Sequence, residues 1–383
     1  MGNSASDSSR RVATSTACRE TVVSYRGSER PGGHEALTCR WVAQSLASIK
    51  GCECGGEFDA QRDYGSPLYF VPLATIDSLE EARRLGIEHA GQLFGGVVPM
   101  AFIATKIITH PLLADDAAAP SGWSREFGAR VRDVVLPGYS VFSRADARRA
   151  GALLLAEGAV RAKRSCGVGG SGQAVAADAR QLEAFIDGID DGELASQGLV
   201  LERNLDEAQA CSVGQVRVGE LLASYVGTQR QTRNHRGALV YGGSTLTVVR
   251  GGYDALLGLS LLPDLRTAVK QALVYHDAAF GAFAGMFASR CNYDVAQGVD
   301  QQGRPYSGVL EQSWRIGGAT PAEIAALETF KAYAEVRVVA VSSVETYELD
   351  PVLPDHAVVF YSGVDAHAGA LTKYLCLEPH AGL

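Results

Sequence analysis

Asp294 and Glu311 have the spacing in this 383-residue chain that most directly suggests chemistry. Between them lies Gln302-Gly303, suited to a two-residue hairpin turn because glycine supplies the positive φ of the primed turns. Tyr293, Val295 and Val299 precede it, and Tyr306, Val309 and Leu310 follow, all residue types that favour strands. A hairpin centred there sets Asp294 opposite Glu311 and Asn292 opposite Ser313, and residues opposite or two apart share a face. Two carboxylates side by side repel unless positive charge lies between them. A divalent metal with oxygen ligands meets that need, and Arg315 falls two residues further along the same face. The alternative is a solvated hairpin edge that carries acids by chance.

A second group lies upstream. Ala159–Lys163 reads as a short strand, followed by Gly167-Val-Gly169-Gly170-Ser171-Gly172, a strand at Val175 and a helix from about Asp178 to Ile189. Glycines let backbone N–H groups surround phosphate oxygens, and a lysine at the strand end adds a point charge. No Gly-Lys-Ser/Thr follows, so this is not a Walker loop; a glycine-rich hairpin tip is the alternative. The chain favours arginine, and its lysines are Lys50, Lys106, Lys163, Lys270, Lys331 and Lys373. A lysine retained against that bias suits a role for a compact ammonium.

These residues need elements to hold them. Thr21–Tyr25 and Leu68–Pro72 read as strands, His34–Ile49 as a helix and Gly51–Gly65 as a loop. Ser78-Leu-Glu-Glu81 has the form of a capping box opening a helix to about Leu85, with Asp77 as the alternative cap, and Leu93–Pro99 is a strand and turn. Strands alternating with helices predict a parallel α/β domain over residues 20–105. Ser143 caps a helix running to Leu155, and Gly198–Leu205 is an apolar strand carrying Glu202. Cys211–Val218, Leu221–Gly227 and Leu246–Val249 predict an antiparallel sheet, with Arg230, Arg233, His235 and Arg236 in a polar loop that either clamps an anion or is simply solvated. Thr267–Ala288 is a buried helix behind the hairpin, and Pro321–Ala334 a helix capped by Thr320. Strands at 336–344, 356–361 and 371–377 suggest a small C-terminal cap over 336–383.

Hydrophobic residues make up 46% and charged residues 20%, as in globular proteins; the net charge of −8 argues against nucleic acid as a partner. No apolar run reaches the ~18 residues of a membrane span. Residues 1–19 lack the apolar core of a secretory signal and read as a disordered tail. Eight scattered cysteines, with Cys52-Glu-Cys54 too tightly spaced for a zinc pair, are expected to be reduced thiols of a cytoplasmic protein.

The parts occur in a telling order: Lys106, then Lys163 with its Gly-rich loop, a strand ending in Glu202, the paired acids, and Arg315. This resembles the ATP-grasp superfamily of ATP-dependent ligases, with the layout of biotin carboxylase and D-alanine–D-alanine ligase, over roughly residues 95–330. It also resembles an uncharacterised bacterial family of ATP-grasp type. The implied fold is α/β (α+β): an ATP-grasp module over 106–335, with a lid at about 135–205, behind a small parallel pre-ATP-grasp domain. The resemblance makes Lys106 and Lys163 phosphate-binding lysines and Gly167–Gly172 the lid. Glu202 becomes the hinge acid, with Arg203 and Leu205 offering backbone groups to adenine. Asp294 and Glu311 become the magnesium acids. Glu311-Gln-Ser-Trp-Arg315 stands where the family reads Glu-x-Asn-x-Arg, so Ser313 replaces an asparagine ligand. The ribose-binding acid has no clear counterpart among Glu207, Gln209 and Ala210.

The implied cofactors are ATP and Mg2+ (or Mn2+). The implied activity is a carboxylate–amine or carboxylate–thiol ligase acting on small molecules, with a homodimer possible and no membrane or nucleic-acid partner. Lys163 and Arg315 would be its catalytic residues. A biotin-carboxylase-like activity and a nucleotide-binding protein without turnover are the rivals.

Overall fold

Thr21–Tyr25 (β1) is a run of β-branched and small residues buried on both faces, as a central parallel strand requires. It pairs in parallel with Glu53–Glu57 (β2) and Leu68–Pro72 (β3), and His34–Lys50 (α1) crosses between β1 and β2. The computed structural model describes residues 20–27, 32–166 and 172–377; the expected tail at 1–19 and the lid residues Gly167, Gly169, Gly170 and Ser171 lie outside them. β2 falls within the stretch expected to be a loop: its glycines and acids bear no strand propensity, and the parallel ladder to β1 decides the matter. Leu79–Arg84 (α2) starts where the capping box places it, with Ser78 Oγ accepting from Glu81 N at 3.3 Å. Gly96–Val97 (β4) completes this half.

Arg125–Val131 (α3) leads into a four-stranded antiparallel sheet. It is built from Gly138–Val141 (β5), Val160–Arg164 (β6), Gln173–Ala176 (β7) and Leu199–Arg203 (β8), in the order β5-β8-β6-β7. Arg144–Leu155 (α4), Ala179–Asp187 (α5) and Asp191–Gln197 (α6) accompany it, with Val141, Ala150, Leu154, Ile186 and Leu201 in its separate core. Ser143 and Asp178 cap α4 and α5 through their side chains.

The central sheet has eight antiparallel strands. Asp206–Val218 (β9), Leu221–Arg233 (β10) and Leu239–Arg250 (β11) are its middle. Tyr253–Leu257 (α7) and Pro263–Ala282 (α8) follow, then Phe287–Ala288 (β12), Arg290–Val299 (β13) and Pro305–Ser313 (β14). Thr320–Ala332 (α9) precedes Val338–Thr346 (β15), Val358–Asp365 (β16) and Gly369–Leu377 (β17). The order is β14-β13-β9-β10-β11-β15-β17-β16, so the C-terminal strands expected of a small cap extend the central sheet.

α8 packs behind the hairpin, where Tyr275, Tyr293, Val295 and Trp314 join one core. α9 and α1 join β10, β11 and β15 in a second. Among the described residues no helix is long and apolar enough to cross a membrane.

Four local expectations change. Arg230 and Arg233 belong to β10, not to a loop, and donate to the carbonyls of Gly242 and Gly237; His235 meets the carbonyl of Ala370 at 2.8 Å. These bonds tie down the hairpin. Thr320 is the first residue of α9, and its Oγ1 accepts from Gly317 N at 3.1 Å; Ala319 holds the cap position. Cys52 is disulfide-bonded, whereas Cys39, Cys54, Cys166, Cys211 and Cys291 are free thiols. The fourth is the hairpin turn. Asp300 N donates to Arg304 O at 3.0 Å, which leaves Gln301–Gly303 as a three-residue loop with Gly303 at φ 75.

Candidate functional site

The turn shifts the hairpin register by one residue: Val299 pairs with Pro305 and Val295 with Val309. A bulge at Leu310 then shifts it back, so Asp294 does pair with Glu311 and Asn292 with Ser313. The expected face therefore exists, made by a different turn and a compensating bulge.

Asp294 Oδ1 lies 2.9 Å from the Asn292 amide and accepts from Ser212 Oγ on β9 at 3.3 Å. Burial pushes its carboxyl above the usual range, and the neighbouring Glu311 charge pushes it further. Glu311 is half-exposed and reaches Lys106 Nζ at 2.8 Å. Lys106 opens a short 3-10 turn, Lys106–Thr109, capped by Thr105. Gln312, between the two site residues of β14, fastens that turn: its Nε2 donates to the carbonyls of Ile103 at 2.8 Å and Thr105 at 2.7 Å. Lys106, 205 positions upstream in sequence, is thereby brought to Glu311.

A buried network stands behind this face. Arg290, 1% exposed, donates three bonds of 2.8–3.1 Å to Glu323 of α9, which is 0% exposed. Arg290 also donates to Ser313 Oγ at 3.3 Å and to the carbonyls of Ser313 and Arg315. Tyr225 Oη lies 2.5 Å from Glu323 Oε1 and 2.9 Å from the Asn292 amide. Gly214 on β9 pairs with both Tyr225 and Asn292, and a Cβ there would collide with the Tyr225 hydroxyl. Nothing local in the sequence marks Tyr225, Arg290, Gln312 or Glu323; they lie on separate elements. Arg315 donates to Ile316 O at 2.8 Å; burial and then Arg290 lower its pKa, while Glu35, Glu311 and Asp294 oppose them.

The second cluster lies in the four-stranded sheet. Lys163 on β6 and Glu202 on β8 are diagonal neighbours, with Nζ 2.5 Å from Oε1. His110 Nε2 lies 3.1 Å from the other oxygen of Glu202, and all three side chains are buried. Burial raises the Glu202 carboxyl, but Lys163 and His110 outweigh it and hold it down to about 2. Arg164 N donates to Gly172 O at 2.9 Å, closing the base of the expected lid. The Arg203 N–H, one of the backbone groups expected to face adenine, is taken by Pro137 O at 2.8 Å. Its side chain turns to Asp300 and Glu157. Leu205 is buried against Leu136 and Ala296.

Among the described residues no group of three or more His, Cys, Asp or Glu side chains is placed to hold a metal. The hairpin offers two acids with neutral oxygen donors beside them, a set that fits a hard cation taking its remaining ligands from phosphates.

This combination of a central antiparallel sheet, a four-stranded antiparallel sheet and a parallel N-terminal sheet is the fold of the ATP-grasp proteins that the chain resembles. The chain belongs to DUF3182, a family described as proteins of unknown function, whose signature matches residues 22–375. It is similar to N5-carboxyaminoimidazole synthetase from Staphylococcus aureus, alone and complexed with ADP. Each of those two structures has 12% identity, a TM-score of 0.52 and coverage of 94% of this chain and 93% of the other. Biotin carboxylase from Campylobacter jejuni in complex with β,γ-ATP matches at 11% identity and TM-score 0.51, covering 94% and 87%. No curated protein matches the sequence significantly.

Proposed function

We propose that this protein is an ATP- and magnesium-dependent ligase that activates a small-molecule carboxylate as an acyl phosphate for attack by an amine or thiol. The observation that carries this reading is the Asp294–Glu311 face with Lys106 beside it, on the hairpin of an ATP-grasp fold. Similar structures were determined with ADP and with β,γ-ATP, which supports a nucleotide as the first substrate.

Asp294 and Glu311 would hold the metal, which when bound screens the charge on the phosphate oxygens. Lys106 is placed to pass from Glu311 to a phosphate oxygen once the acid has another cation. Lys163, held by Glu202 on the four-stranded sheet, is the second phosphate lysine. Glu202, the Arg203 carbonyl and Leu205 line the adenine side. Arg315 orients the substrate carboxylate and stabilises the charge that develops on it. Ser313 is the weakest of the expected metal ligands, because its hydroxyl already accepts from Arg290.

The test is thermal stabilisation by ATP with and without magnesium. A nucleotide at about 100 times its Kd adds about 2.7 kcal/mol. The expected outcome is a magnesium-dependent shift that Glu311→Ala abolishes. A shift equal with and without magnesium, or unchanged in Glu311→Ala, removes the metal role; no shift at all removes the nucleotide. Release of ADP dependent on a carboxylate and an amine or thiol then separates a ligase from a nucleotide-binding protein without turnover.

A further inference from the structure

Tyr225 has one hydroxyl proton and two oxygen neighbours, Glu323 Oε1 at 2.5 Å and the Asn292 amide at 2.9 Å. Glu323 already accepts three bonds from the buried guanidinium of Arg290, so it is a carboxylate with nothing to donate. The 2.5 Å contact therefore holds the Tyr225 proton. With that proton spent, the Asn292 amide meets Tyr225 Oη on one side and Asp294 Oδ1 on the other, each at 2.9 Å.

If Asn292 gives its NH2 to Asp294, its own oxygen abuts the Tyr225 oxygen with no hydrogen between, in a sealed part of the core. If it gives its NH2 to Tyr225, its oxygen abuts Asp294 Oδ1 instead, on the face shared with Glu311. Only there can a cation lie between the two oxygens. Two adjacent ligands of an octahedral magnesium at roughly 2.0–2.1 Å stand about 2.9 Å apart, the separation these two atoms already have.

We propose that Asn292 is a ligand of the divalent metal, its amide turned by Tyr225 and Glu323 so that Oδ1 joins Asp294 and Glu311. It stands directly across the strand pair from Ser313, whose hydroxyl is engaged by Arg290. The amide oxygen that position 313 lacks is thus supplied from the opposite strand. Tyr225 and Glu323 are positioning residues, acting through Asn292. This assignment rests on the metal reading of the hairpin.

The test uses Mn2+ with ADP and the full chain. The chain's asparagines are Asn3, Asn204, Asn234 and Asn292. Labelling all of them with 13C at the side-chain carbonyl and recording the electron–nuclear coupling of bound Mn2+ reads direct ligation without turnover. The expected result is a strong 13C coupling in the wild type that Asn292→Ala removes, with Mn2+ affinity weakened on the order of tenfold or more. Tyr225→Phe should weaken affinity while the coupling diminishes, whereas Ser313→Ala leaves the coupling in place. Bound Mn2+ with no 13C coupling overturns Asn292 as a ligand but leaves the metal site standing. Failure of the wild type to bind Mn2+ with ADP overturns both.

Discussion

Lys163 and Glu202 lie on strands two apart in chain order but adjacent in the four-stranded sheet, with the ammonium 2.5 Å from one carboxylate oxygen of Glu202 and His110 Nε2 3.1 Å from the other. The Glu202 carboxyl is held at about 2, below its unfolded value of about 4.3. A depressed acid contributes stability that is fully present above the unfolded value and is lost as pH falls toward the folded one. Glu202→Gln should cost about 3 kcal/mol at neutral pH, because it strands a buried ammonium. In urea denaturation the gap to wild type should narrow as pH drops from about 5 toward 3. An equal gap at both ends of that range would show that the pairing does not stabilise the fold.

Lys106 and Glu311 form a partly exposed pair, so its net worth to folding is about 0.5 kcal/mol. Its effect on ligands is larger. Lys106→Met leaves Asp294 and Glu311 facing each other without the ammonium that pairs with Glu311. Stabilisation by magnesium alone should then exceed that of the wild type, while stabilisation by ATP with magnesium falls. Melting curves under both conditions decide this; parallel losses in the two would mean that Lys106 does not compete with metal.

Burial and Glu311 together raise the Asp294 carboxyl, so metal binding must draw on a group that holds its proton more tightly than usual. Metal affinity should fall as pH drops into that raised range, with proton release visible as calorimetric heats that differ between buffers. Asp294→Asn removes the repulsion, so the variant without metal should be more stable than wild type by a few tenths to about 1 kcal/mol. The same variant should lose the magnesium-dependent shift.

Arg290 and Glu323 are a fully buried pair. Glu323→Ala should cost about 3–5 kcal/mol by leaving a buried guanidinium unpaired, whereas Arg290→Met with Glu323→Leu should restore much of that loss. The apolar pair should still bind Mn2+ with ADP more weakly, because Tyr225 and Ser313 lose the groups that orient them. Chemical denaturation reads the first effect and Mn2+ titration the second. Gly214→Ala should behave like a mild version, costing about 1–3 kcal/mol, because its Cβ would press on Tyr225 and on the Cys291 carbonyl.

Local sequence was enough for elements whose signals are local. β1 and β3 match their expected bounds, and Ser78 and Ser143 cap where expected, since a side-chain oxygen three positions before an N–H needs no distant partner. The order of lysines, glycines and acids along the chain was likewise enough to point to the fold. β2 was missed because its strand character comes from the ladder it joins, and the C-terminal strands were set apart because pairing with β11 has no local signature.

The Asp294–Glu311 face shows the division most clearly. Alternation along two strands was enough to put both acids on one side. The turn that does this uses the Asp300 carboxylate, which accepts from Gln302 N at 2.9 Å and Arg304 N at 3.0 Å, and so closes a three-residue loop. The bulge at Leu310 then corrects the register. The partners of the face come from elsewhere: Lys106 through Gln312, Asn292 through Tyr225, and Ser313 through Arg290 and Glu323. Sequence determines which residues one strand presents together; only the packing of the Lys106–Thr109 turn, the sheet and α9 decides which charges from distant segments neutralise them, because a buried charge is matched by whatever the fold brings within hydrogen-bonding reach.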